Sequence, residues 1–396
     1  MRFALVAFPW ILAAQIPSAE ALSPADAEGF REEIQRLERL RQTAGDQCTV
    51  TYALARTWAA GGQFPKAFDT LEKVAELKVG LDPANDEVFK KLKDAKEYRG
   101  LLERIRADTP PIVKSTPAFI IQEPDLAPEG IAYDARRKRF FLGSTLQHRI
   151  ITCSDKGVCR TLVRDGQDGL GEVLGLRVDP RDSTLWAAAN SSTESGVFHY
   201  DGSSGKLIRK YSIGRTGHLF NDLVVDKQGR VFVTDSAAGT VYWISSEGLR
   251  VFNEGLKVEA ANGIALADGP SPRLYVAGFP DGVTVVDITS RTFHALWHPA
   301  GLCLATIDGL YYSHGDLLAI QNGIMTHRIV RFHLSRDAID GFEMLERRNP
   351  SFDGGPTTGA LAGNHLYYVA NPQLDKAAAH QPLQVLRLSL SFGGRK

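Results

Sequence analysis

One short phrase recurs six times along this chain, and it limits the fold more than any other feature. It reads Pro128-Glu129-Gly130-Ile131-Ala132, Val173-Leu174-Gly175-Leu176-Arg177, Phe220-Asn221-Asp222-Leu223-Val224, Ala261-Asn262-Gly263-Ile264-Ala265, Ile307-Asp308-Gly309-Leu310 and Thr357-Thr358-Gly359-Ala360-Leu361. Its second residue falls at 129, 174, 221, 262, 308 and 358, giving spacings of 45, 47, 41, 46 and 50 residues. A period of this size, filled with short segments of period two, is the mark of a β-propeller. A turn and a second strand follow each phrase, as in Arg139-Phe140-Phe141-Leu142 and Arg230-Val231-Phe232-Val233. Third strands (Thr240-Val241-Tyr242-Trp243) and fourth strands (Cys159-Arg160-Thr161-Leu162-Val163) come next. The sixth blade runs out after three strands near Ser391, so Ala118-Phe119-Ile120-Ile121, ahead of the first phrase, is its expected fourth strand. Closing the ring in this way removes the exposed sheet edges that invite aggregation. The expected fold is mainly β: a six-bladed β-propeller over 116–396, preceded by a small helical domain.

That helical domain is read over 22–108. Ser23-Pro24 offers an N-cap with proline at the first helical position. Phe30, Ile34, Leu37 and Leu40 then recur on one helical face. Ala55, Gly62, Phe64, Ala67, Leu71, Ala75 and Asp82-Pro83 resemble one tetratricopeptide repeat, with small residues where two helices touch and glycine at the turn. One repeat cannot bury its own face. The domain is therefore expected to cap or space the propeller, with binding of a protein partner as its alternative role. Asp108-Thr109-Pro110-Pro111 opens the linker, 109–115, where proline cannot continue the helix.

Residues 1–21 read as a signal peptide. Arg2 supplies the positive start, Phe3 to Ala14 is an apolar run of 12, and Ala19-Glu20-Ala21 fits a small-x-small cleavage site. The run is too short to span a bilayer, and no later segment approaches the 18 or so apolar residues that a span needs. The mature chain is expected to be exported, to periplasm or medium, without stable membrane insertion. Lys plus Arg equals Asp plus Glu at 46 each, which argues against a general nucleic-acid surface. Four cysteines make no disulfide framework, but Cys153 and Cys159 bracket a hairpin loop and could face each other across it. Cys48 and Cys303 read as buried small apolar residues.

The second position of the phrase reads Glu129, Leu174, Asn221, Asn262, Asp308 and Thr358. A propeller gathers equivalent positions of its blades around one axis, where the innermost strands begin. Glu129, Asn221, Asn262 and Asp308 thereby become two carboxylates and two amides at one channel mouth. Hard oxygen donors with two negative charges suit Ca²⁺, or Mg²⁺ and Mn²⁺. Asn-Gly and Asp-Gly are also ordinary turn signals. Four donors in register with the repeat carry more weight than any one pair. The following glycines allow close backbone approach near the axis. His218, three residues before Asn221, could shuttle protons at the mouth, against a loop histidine without a role. Asp235 reads as a turn residue and Tyr311 and Tyr312 as strand-packing aromatics. The other histidines show no metal-ligand pattern.

These residues resemble the gluconolactonase/regucalcin (senescence marker protein) superfamily, to which paraoxonases and strictosidine-synthase-like proteins are related. The resemblance rests on Pro-Glu-Gly at Glu129, Asn221-Asp222 followed by Val-Asp-x-x-Gly-Arg, Asn262-Gly263 and Asp308-Gly309, over about residues 115 to 391. It implies a six-bladed propeller with one divalent cation at the channel mouth, commonly Ca²⁺ or Zn²⁺. It also implies hydrolysis of lactones or esters, with Glu129, Asn221, Asn262 and Asp308 as ligands and Asp308 as base. The sequence departs from the pattern in places. Leu219 stands where a sugar-contacting arginine is common. Ser236-Ala237-Ala238-Gly239 lacks the acidic residue that follows the next strand. Leu174 and Asn190-Ser191-Ser192 stand where paraoxonases carry a histidine pair. The functional expectation is an exported, metal-dependent hydrolase of lactones or related esters acting on a small-molecule substrate. The alternatives are a non-catalytic binding propeller and a lyase or synthase on the same scaffold.

Overall fold

Twenty-four strands form six four-stranded antiparallel sheets in the computed structural model, which describes residues 24–43, 47–278, 282–299, 301–336, 338–374 and 381–391. The expected signal peptide lies outside the described residues. Five sheets are built from consecutive strands, each blade beginning with one phrase on its innermost strand. The sixth recruits Thr116–Ile121, which pairs antiparallel with Leu383–Ser389 and sets Phe119 opposite Val385. The first and last strands of the propeller thus share one sheet, as the early strand led us to expect.

Middle strands such as Leu185–Asn190 and Val231–Asp235 are buried at every position. Their apolar residues do not alternate with polar ones, because each blade is covered by a neighbour on both faces. Ala132, Phe141 and Ile150 of blade 1 interlock with Leu176, Leu185 and Ala187 of blade 2. The outermost Leu207–Gly214 has no buried position and mixes partly exposed with exposed residues. Truncating a buried aromatic such as Phe141 or Phe198 would cost about 3–5 kcal/mol.

Four α-helices precede the propeller: α1 (Pro24–Thr43), α2 (Gln47–Ala60), α3 (Phe64–Glu76) and α4 (Lys96–Asp108). Gly62 takes φ +72° in the turn between α2 and α3, and Pro65 sits in the first turn of α3, where its missing N–H costs nothing. Ala55, Ala59, Ala67, Leu71 and Val74 let these two helices pack closely, and Tyr98, Leu101 and Ile105 of α4 fill the same core. That core continues into the propeller through Cys303, Ala305, Ile324 and Met325. The seam is also hydrogen-bonded. Asp82 N donates to Ile324 O at 2.6 Å and Thr326 N to Gly80 O at 2.7 Å. Past α4 the linker is tied down as well, since Ile112 and Arg347 exchange backbone hydrogen bonds of 2.8 and 2.9 Å.

Cys153 and Cys159 are register partners on adjacent strands and form a disulfide, as the hairpin spacing suggested. Among the described residues, no helix is long and apolar enough to cross a membrane.

Candidate functional site

Glu129, Asn221, Asn262 and Asp308 all lie at the start of innermost strands, 5, 2, 8 and 1 % exposed respectively. The pairing between first and second strands slips at this point in four blades. The shifts fall between Pro128 and Ile131, Val173 and Leu176, Phe220 and Leu223, and Ile307 and Gly309. A bulge breaks the strict alternation of side chains and re-aims one residue. Glu129, Asn221 and Asp308 all sit on such a bulge. The third residue of the phrase explains why glycine follows. A Cβ on Gly130 would lie 2.1 Å from the Leu174 carbonyl oxygen, and one on Gly263 would lie 2.4 Å from that of Asp308. Adjacent inner strands therefore touch backbone to backbone, and any side chain there would force the blades apart.

Three of the four donors are directly coupled. Burial pushes the Asp308 carboxyl up to about 7, against hydrogen bonds from the Asn322 and Asn262 side chains, and the nearby Asp222 carboxylate adds to the rise. Glu129 is pushed well above the usual carboxylate range by burial first, then by Asp308 and Asp222, with Arg177 opposing. Each of the three keeps one buried oxygen without a hydrogen-bond partner: Glu129 Oε2, Asn262 Oδ1 and Asp308 Oδ1. Leaving such atoms unpaired normally costs about 1–3 kcal/mol each. Two mutually repelling carboxylates with bare oxygens are what a hard divalent cation would relieve, so the donor set fits one. Asn221 joins less directly: its Nδ2 donates to Ser236 Oγ at 3.1 Å, and Ser236 Oγ donates in turn to the carbonyl of Ala261, beside Asn262. Among the described residues no group of three or more His, Cys, Asp or Glu is arranged to hold a metal. The candidate set draws half its donors from asparagine.

Side chains from one blade brace the inner strand of the next. Asn190, fully buried, donates from Nδ2 to Phe220 O at 2.8 Å and accepts from Phe220 N at 2.9 Å, gripping the residue before Asn221. Thr234 Oγ1 donates to Asn262 O at 2.7 Å. Asn322 Nδ2 donates to Asp308 Oδ2 at 2.5 Å and to Pro356 O at 3.1 Å. Thr357 and Thr358 both donate to the Glu129 carbonyl, closing the ring from blade 6 to blade 1.

Sequence reasoning missed the channel's other charges. Asp222 pairs with Arg177 at 2.9 Å, and the Arg177 guanidinium lies 5.3 Å from the centre of the Tyr311 ring. Arg177 and Tyr311 occupy the same phrase position, three residues after the second, in blades 2 and 5. The corresponding Ala132 and Ala265 are small. Tyr311 is therefore more than a strand-packing aromatic: it is one side of a cation–π contact, and its hydroxyl accepts from Gly359 N. A signal was present in the sequence. Five of the six phrases carry glycine at the third position, and only blade 3 substitutes Asp222.

Asp235 is the turn residue expected, and it also meets His218. Asp235 Oδ1 does accept backbone N–H groups from Leu219, Ala237 and Ala238, as a turn residue would. Its Oδ2 lies 2.6 Å from His218 Nδ1, so that histidine is held by a buried carboxylate. The His218 and Phe220 rings both pack against Tyr242, which puts them on the side of the strand away from Ser236, the partner of Asn221. His218 thus braces blade 3.

No protein-family profile and no curated protein sequence matches the chain. Solved structures match at low identity. A protein of Thermus thermophilus assigned as an oxidoreductase (glucose dehydrogenase) aligns with TM-score 0.51 and 14 % identity over 69 % of this chain and 99 % of its own. A gluconolactonase of Xanthomonas campestris aligns with TM-score 0.48 and 16 % identity over 71 % of this chain and 98 % of its own. Virginiamycin B lyase of Staphylococcus aureus gives 0.48 and 14 % over 69 and 98 %. At 14 % identity, what the Thermus thermophilus protein shares with this chain is the fold.

Proposed function

We propose that this chain is a divalent-cation-dependent hydrolase of lactones or related esters, with Glu129, Asn221, Asn262 and Asp308 as the ligand set. The observation that carries the proposal is the trio of buried, unpartnered oxygens on Glu129, Asn262 and Asp308. Ca²⁺ suits these donors best, with Mn²⁺, Mg²⁺ and Zn²⁺ as alternatives. The chemistry such a cation supplies when bound is Lewis-acid polarisation of the scissile carbonyl. Asp308, itself a ligand in this set, is the general base: its carboxylate, steadied by Asn322 on Oδ2, takes a proton from the attacking water. The same carboxyl returns that proton to the leaving alkoxide as the acyl C–O bond breaks. We also propose export, with cleavage ahead of Leu22.

A second reading has its own support. The four donors are at most 8 % exposed, which favours a cation that closes the channel of a non-catalytic binding propeller. A panel of lactones and esters, assayed with Ca²⁺, Mn²⁺, Zn²⁺ and chelator, separates the two. Hydrolysis that needs the metal, falls steeply in Asp308→Asn and is largely kept in His218→Gln supports the hydrolase. Metal-dependent stability with no turnover on any substrate supports the binding propeller.

A further inference from the structure

We propose that Cys48 and Cys303 form a second disulfide, one that locks the helical domain to the propeller. Cys48 lies in the first turn of α2, and Cys303 lies in the loop that enters the Asp308 strand. Both are buried, and their sulfurs are 2.7 Å apart. Unbonded carbon atoms pack at about 3.5–4.0 Å, and sulfur is larger still. Bonded sulfurs sit about 2.05 Å apart. The observed separation is thus inside any non-bonded contact, and a small shift completes the bond.

The setting supports a bond more than a chance contact. The carbonyl of Cys303 accepts from Gln321 Nε2 and Arg328 Nη2, each at 3.2 Å, so its backbone is fixed. Around the pair, Tyr52, Ala55, Ala305, Ile324 and Met325 form one continuous core across the seam. The chain has four cysteines, and the other two are already paired. Reading Cys48 and Cys303 only as small apolar residues accounts for their burial but not for their contact.

The chemistry balances through thiol–disulfide exchange with an external dithiol–disulfide oxidant. One cysteine thiolate attacks the oxidant's disulfide and releases one of its sulfurs as a thiol. The second thiolate then displaces the other, forming the Cys48–Cys303 bond. Two protons and two electrons leave the pair, and the oxidant departs as a dithiol. Because both sulfurs are buried in the folded chain, exchange must accompany docking of the helices. The bond spans 255 residues of sequence. It would fasten the loop ahead of Asp308, while Arg36 of α1, 4.0 Å from Glu259, touches the loop ahead of Asn262.

The test refolds the purified full-length chain in a glutathione redox buffer and alkylates it in denaturant without reductant. Non-reducing peptide mapping follows. We expect no alkylated cysteine and one linked peptide pair carrying Cys48 and Cys303. Reduction should lower the melting temperature of the native chain by several degrees more than that of Cys48→Ala/Cys303→Ala, which keeps small apolar side chains at both sites. Alkylation of Cys48 and Cys303 with Cys153 and Cys159 still linked would overturn the proposal. So would a linkage of either residue to Cys153 or Cys159. Should the double variant fail to fold, the peptide map of the native chain decides alone.

Discussion

Replacing Asp308 with asparagine should make the metal-free protein more stable at alkaline pH. The Asp308 carboxyl rises from 3.8 to about 7 because burial disfavours its charge, a shift of roughly three units. At about 1.4 kcal/mol per unit, ionising it in the folded protein costs on the order of 4 kcal/mol. The sign follows from linkage. A carboxyl raised on folding leaves stability undiminished below its unfolded pKa, and the loss builds as pH climbs toward the folded value. Near pH 5 the penalty is on the order of 1–2 kcal/mol, and by pH 8 it is complete. Asparagine carries no charge, but its amide cannot accept from Asn322 and Asn262 as a carboxylate does. Losing one such bond costs about 1 kcal/mol. The variant should therefore exceed wild type by about 2–3 kcal/mol at pH 8 in chelator and roughly match it at pH 5. The assay is guanidinium unfolding at both pH values, followed by tryptophan fluorescence. With Ca²⁺ in hundredfold excess over its dissociation constant, wild type should recover about 2.7 kcal/mol and the variant much less. If Asp308→Asn is less stable than wild type at pH 8 in chelator, the buried charge is net favourable and the reasoning is refuted.

Three more outcomes are expected. Arg177→Met leaves Asp222, 1 % exposed, without its counter-charge, and burial then pushes its carboxyl still further up, so unfolding should show a loss of about 3–5 kcal/mol, partly restored by adding Asp222→Asn. A loss below about 1 kcal/mol would mean that the pair contributes little. Gly130→Ala places a Cβ 2.1 Å from the Leu174 carbonyl oxygen and should cost at least about 2 kcal/mol, whereas Gly214→Ala, which meets nothing within 4 Å, should be neutral in the same melts. Asn190→Ala orphans the buried N–H and C=O of Phe220, so a destabilisation of about 2–4 kcal/mol and a weaker calcium response should be read in parallel titrations. An unchanged calcium response would detach that clamp from Asn221.

How much was legible depended on whether the information was periodic. The blade count, the phrase at the start of each inner strand and the strand that closes the ring all repeat or complete a repeat, so one sequence suffices to see them. The glycines at 130 and 263 were readable for the same reason: adjacent inner strands approach too closely for a Cβ. Asp222 breaks that glycine pattern, and weighing the exception would have exposed a third acid beside Glu129 and Asp308. The tetratricopeptide-like pattern located the turn at Gly62, but nothing in it indicated which blade the helices would rest on.

The sequence by itself determined the local and repeated part of this protein: strand periods, turns, the hairpin that brings Cys153 to Cys159, and the candidate donors in register. Tertiary structure alone decided the pairings between blades and between domains. Arg177 of blade 2 meets Asp222 of blade 3 and Tyr311 of blade 5, Asn190 grips Phe220, His218 meets Asp235, and Cys48 reaches Cys303. The reason is physical. Strand propensity and turn chemistry act over a few residues and leave their period in the chain. A contact across the channel or the domain seam depends on how six twisted sheets stack around one axis, and no local pattern encodes that geometry.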